Sequence, residues 1–158
     1  MNVSDKRGGG GDDDDDKEAR FKEEIEGILG RHAEARREQS AADELASKTR
    51  IEFLARAKNT FRSTVVPILT SVKEMAGDST RADLIVRDET DATLRLGRHT
   101  LRFHVFSAAE EISVSEEIAL HVPPYKKSDE RVGLDDLTAD FVRRRAAAFL
   151  KESLSTPP

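Results

Sequence analysis

The chain predicts an α+β fold: a long kinked helix, an antiparallel β-meander of three to five strands, and a C-terminal helix on the same sheet face. Three observations carry this. Apolar residues recur at helical spacing over 51–75, alternate with polar ones over 84–106, and return to helical spacing over 142–150. Those periods, about 3.6 and 2 residues, are the ones that let a helix and a strand each bury one face.

Residues 1–17 hold Gly8–Gly11, then Asp12–Asp16 and Lys17. Glycine maximises backbone entropy and adjoining carboxylates repel, so this tail is expected to be disordered. Asp13–Lys17 also matches the signature cut by enterokinase, which makes the tail either an engineered tag remnant or a native acidic end.

Residues 18–50 form a charged extension, helical or partly disordered. Phe21, Ile25, Ile28 and Leu29 make one short stripe, weakened by Gly27 and Gly30. Between Leu29 and Leu45 there is no large apolar residue, so that stretch cannot bury a face and reads as a solvated helix or a linker. On a straight helix Leu54 is rotated by about 80° from Ile28, so the stripes on either side do not share a straight seam. A long parallel coiled coil is not expected. The Phe21–Leu29 segment reads instead as a short binding helix or a weak self-association patch.

The domain proper is expected over 51–154, with 155–158 frayed. Ile51, Leu54, Ala57, Phe61, Val65, Ile68, Leu69, Val72 and Met75 fall within an arc of about 120° on a helical wheel. Pro67 lies opposite that arc, so the helix is expected to kink there and continue, ending at Gly77. Leu96-Gly97-Arg98-His99 reads as a two-residue hairpin turn, with Gly97 supplying the positive φ. Pairing Leu96 with His99 puts Ala92, Leu94, Leu96, Leu101, Phe103 and Val105 on one face. A loop of three or five residues around Asp88–Asp91 would bring Leu84 and Val86 to the same side. Residues 111–122 supply one or two further strands, with a bulge or turn at Glu116-Glu117, ended by Pro123-Pro124. Residues 125–131 read as a polar loop. The last helix starts at Asp135 or Thr138 and runs to Leu154, with Val142, Ala146, Phe149 and Leu150 as its stripe.

The order helix, meander, helix resembles in topology the RWD-type modules that cap coiled coils and the small chaperone-like adaptors of bacteria. The resemblance covers topology only and assigns no residue a role.

Chemistry is sparse. The chain has no Cys, which removes disulfides and thiolate ligands, and no GxSxG or GK[ST] pattern. A zinc site through His104, His121 and Glu116 would need those side chains to converge; His99 and His104 are an odd number apart and point to opposite faces. Arg143, Arg144 and Arg145 fan around a helix and cannot form one phosphate-binding face. No cofactor or metal is expected. The net charge of −5 is concentrated in the tail, with −3 in 1–17, 0 in 18–78 and −2 in 79–158. That near-neutral body makes nucleic acid a poor expectation. No apolar run reaches the length of a membrane span, so a cytoplasmic protein is expected.

Two candidate surfaces remain. Arg95, Arg102, His104 and Phe106 share the outer sheet face, where they could dock an acidic partner or stack a bare RNA strand. Phe21, Ile25, Ile28 and Leu29 form the second. The leading expectation is a non-enzymatic adaptor for a protein partner, with single-stranded nucleic-acid binding next and a small enzyme around His104 third.

Overall fold

A computed structural model describes residues 11–120 and 126–155. In chain order these form α1 (Gly11–Thr60), a π-helical turn (Phe61–Val65), α2 (Val66–Ala76), β1 (Ala82–Arg87), β2 (Asp91–Leu96), β3 (His99–Phe106), β4 (Glu111–Ile118), β5 (Lys126–Gly133) and α3 (Ala139–Ser155). The fold class is the α+β arrangement expected, with five strands. Two compact units divide between Ser47 and Lys48.

In the first unit, residues 11–47 are helical and, apart from half-buried Gly27, exposed throughout. Expected disorder in 1–17 does not extend over Gly11–Lys17, which begin the helix. Asp12, Asp13 and Asp14 occupy its first turn, where carboxylates meet the unpaired N–H groups and positive end of the helix dipole. Lys17 lies 4.0 Å from Asp13, and Gln39 donates to Asp43 at 2.9 Å, both at i,i+4 spacing. Such pairs are how a helix without a buried face holds together.

The second unit packs helices on one face of a sheet ordered β1-β2-β3-β4-β5, every neighbour antiparallel. Leu96 pairs with His99 and Gly97 has φ 59°, as the hairpin reading required. Arg87 pairs with Asp91, leaving a three-residue loop, so Leu84 and Val86 fall opposite Leu94 and Ala92 on the inner side, but Val86, near the strand's end, stays exposed where a buried residue was expected. Phe61, Phe103 and Phe149 sit fully buried at the centre, joined by Leu69, Leu94, Leu101, Ile112, Val114 and Val142. Thr138 accepts from the Phe141 N–H at 3.2 Å and starts α3, whose Val142, Ala146 and Phe149 are buried as expected.

Four readings need correction. The helix stripe is centred on Phe53, Ala57, Phe61, Val65 and Leu69, while Ile51 and Met75 are exposed. These five residues are spaced by four, and a run of fours drifts around an α-helix unless the helix locally widens. The π-helical turn supplies that widening: the Val66 N–H bonds to the Phe61 carbonyl five residues back. Pro67 follows in the first turn of α2, where its missing N–H costs little.

There is also no bulge at Glu116-Glu117. β4 alternates without a break, and Glu116 points inward with 8% exposure. Residues 126–131 are not a loop: they belong to β5, which pairs with β4 over Ile118↔Lys126 to Glu111↔Gly133. Its Lys126–Arg131 are all exposed, so no apolar alternation marked it. A charged edge strand is one way a sheet avoids pairing with other chains. Pro123-Pro124 and His121 lie outside the described residues.

Candidate functional site

Alternation along β2, β3 and β4 does bring Arg95, Arg102, His104 and Phe106 onto one outer face, away from the helices. Their surroundings differ from the open cationic platform the sequence suggested. Arg102 makes two bonds to the Asp91 carboxylate, Nε at 3.0 Å and Nη2 at 2.6 Å. Arg95 lies 3.3 Å from Asp83, directly across from it on β1. Lys127 faces Glu117 across β4–β5 at 3.8 Å, and Arg131 lies 3.9 Å from Glu111. Phe106, the one Phe, Tyr or Trp among the described residues of this face, is capped by the Arg131 guanidinium, 4.1 Å from its ring centroid. The described outer face carries five basic residues (Arg87, Arg95, Arg102, Lys127, Arg131) and five acidic ones (Asp83, Asp91, Glu111, Glu117, Asp129). It is charge-balanced, and a shallow hollow of about 570 Å³ lies on it, lined by Ile85, Thr93, Arg102, Ser115 and Asp129.

The Arg102 hydrogen bond holds the Asp91 carboxyl below its ordinary range, against the opposing pull of partial burial. His104 stands across from Asp91 and Ser113 on the same face. Glu116 stands on the other face, so the His104–Glu116 pair weighed for zinc is not brought together. Among the described residues no three His, Cys, Asp or Glu side chains converge on a point that would hold a metal ion. His99 turns the other way, accepting from the Ala119 N–H at Nδ1 (3.0 Å), and burial lowers its pKa.

Sequence reasoning passed over a polar cluster on the helix-covered side. Glu116 lies 3.8 Å from Arg145 of α3, and Arg145 lies 3.9 Å from Glu130. Burial is the main force raising the Glu116 carboxyl, with a hydrogen bond that its protonated form donates to Glu152 adding to it. Glu152 is pulled the other way, mainly by its bond to Lys126. Nε and Nη2 of Arg145 are buried without hydrogen-bond partners. One signal was available: Glu116 is in phase with Ile112, Val114 and Ile118.

On the outside of the helical layer, Pro67, Ile68, Val72, Met75, Ala147 and Leu150 line an apolar groove of about 530 Å³ between α2 and α3. In the first unit, Phe21, Ile25, Ile28 and Leu29 keep 64%, 39%, 46% and 62% of their surface exposed. No helix among the described residues is long and apolar enough to cross a membrane.

No family model, curated protein sequence or solved structure matches this chain. The resemblance drawn from element order therefore carries no functional assignment.

Proposed function

We propose that the chain is a non-enzymatic protein-interaction module, with the apolar stripe of α1 as its docking element. One observation carries this reading: four large apolar residues, Phe21, Ile25, Ile28 and Leu29, stand exposed together on a helix that buries almost nothing within its own unit. An amphipathic helix face left in water has a free-energy incentive to be covered, on the order of 25 cal/mol per Å² of apolar surface. The charged sheet face and the α2–α3 groove are secondary surfaces on the same module. Single-stranded nucleic acid has less behind it, since Arg95 and Arg102 are engaged by Asp83 and Asp91, and Phe106 lies beneath Arg131.

The test compares the full chain with a Phe21→Glu/Ile25→Glu/Ile28→Glu variant, each immobilised and exposed to soluble cell proteins and to free copies of the chain itself. The native chain retains a protein that the variant loses, while far-ultraviolet circular dichroism stays the same. Equal retention by the two would overturn the reading.

A further inference from the structure

The stripe of α1 extends further than its large residues. Continuing from Phe21 and Ile25 in alternating steps of four and three gives Ile28, His32, Ala35, Gln39, Ala42 and Ala46, all on α1 and all exposed. Steps of four and three are a heptad repeat, whose 3.5-residue period is kept in contact by left-handed supercoiling. The next step beyond Thr49 reaches Phe53, which is buried in the second unit, so the free seam ends before it.

We infer that this seam pairs with the same seam of a second copy, antiparallel, with Ile25 opposite Ala42 of the other chain. The inference rests on the interaction reading above and names its partner.

Two features set the direction. In a parallel, in-register pair, flanking residues meet five positions apart across the interface. Lys17 would then face Lys22, Arg31 would face Arg36, and Glu38 would face Asp43, so every pair charged on both sides is of like sign. Like charges across an interface are the usual device against a wrong arrangement.

Antiparallel pairing removes those contacts, and the seam has the symmetry to use it. Its eight positions map onto one another about a centre between Ala33 and Glu34. Phe21 meets Ala46, Ile25 meets Ala42, Ile28 meets Gln39, and His32 meets Ala35. Three of these four layers set a larger side chain against alanine, the alternation that lets facing layers interdigitate. Arg31 and Glu38, on the same flank, then lie beside each other's counterpart in the second copy. An antiparallel register shifted by one heptad toward the N-termini sets Ala42 against Glu18 and Ala46 against Asp14, in the acidic start of the helix. The paired stretch, residues 21–46, is about 39 Å long at 1.5 Å per residue.

Because the chain contains no cysteine, an introduced thiol is unique. The full-length chain is first sized by light scattering, where a dimer is expected. Full-length Ile25→Cys and Ala42→Cys chains are then oxidised separately and as a mixture. The mixture forms a disulfide-linked pair that neither chain forms alone, because Ile25 of one copy lies about 25 Å from Ile25 of the other at 1.5 Å per residue. Ile25→Glu/Ile28→Glu weakens the dimer by about a hundredfold or more, since both copies lose two buried isoleucines. The unfolding transition of the second unit stays in place. Self-linkage of Ile25→Cys would mean a parallel pair and overturn the inference, as would linkage of Ile25→Cys with Ile28→Cys in preference to Ala42→Cys. A monomer in light scattering also overturns it. If that monomer still binds another protein through Phe21, Ile25 and Ile28, the interaction reading stands and only self-pairing falls.

Discussion

Two carboxylates on opposite faces of the sheet respond to pH in opposite senses. Asp91 is hydrogen-bonded by Arg102 and its carboxyl is held below the ordinary aspartate range. Its folded pKa lies below its unfolded one, so its stabilisation is complete above the unfolded value. It is lost as pH falls through the folded value. Arg102 is 45% exposed, so solvent screens the pair and Asp91→Asn is expected to cost about 1 kcal/mol at neutral pH. Urea unfolding from pH 7 to 3 checks this: the native chain loses more stability over that range than the variant does.

Glu116 works the other way. Burial and the Glu152 hydrogen bond raise its carboxyl. Its folded pKa lies above the unfolded one, so its contribution is fully present below the unfolded value and declines as pH rises through the folded value. Glu116→Gln keeps the side chain's size and some hydrogen-bonding capacity without the charge. It is expected to flatten the stability profile on the alkaline side of the glutamate range, measured by the same unfolding series. If Glu116→Gln leaves that limb as steep as before, Glu116 is not its source. Glu116→Ala is a harsher change, because it strips a carboxylate from beside the buried Arg145 guanidinium.

At the scale of elements, the hairpin between β2 and β3 sets the register of the sheet. Gly97 sits at φ 59° with nothing within 4 Å of where a Cβ would stand. Gly97→Ala therefore meets no steric neighbour and pays only for the left-handed backbone, about 1–2 kcal/mol. A fall in the urea midpoint with an unchanged slope is the expected signature, since the same surface is exposed on unfolding. A change in slope would mean that the pairing of Leu96 with His99 had slipped. This element was fully legible. Gly at one turn position, flanked by alternating strands, specifies both the turn and the face each side chain takes.

The π-helical turn and β5 were not legible, for different physical reasons. The π turn answers to packing, because Phe53, Ala57, Phe61, Val65 and Leu69 all reach the core only if the helix widens locally. Pro67 announced a disturbance, yet the disturbance lies one turn earlier. β5 consists of Lys, Ser, Asp, Glu and Arg until Val132. Its strand character comes from the hydrogen bonds offered by β4, and no side-chain period records that.

For the molecule as a whole, the candidate surfaces divide along the same line. The residues of the outer sheet face were identified correctly by alternation, but their charge state as a surface was not. Arg95 and Arg102 look available in the sequence, where Asp83 and Asp91 are 12 and 11 positions away. Strand pairing makes those carboxylates immediate neighbours. The stripe on α1 was found by period alone and remains open on the exposed helix.

The sequence by itself determined the faces of β2, β3 and α3, the hairpin register, the three-residue loop within a choice of two, and most of the residues of the core. All of these follow from local periodicity and turn chemistry, which neighbouring residues carry. Tertiary structure alone decided that residues 126–133 form a strand, that Glu116 meets Arg145, that the helix widens before Pro67, and that the described outer face is charge-balanced. Each depends on groups distant in the chain meeting in space, through backbone pairing, desolvation or ion pairing, and no local pattern encodes those meetings.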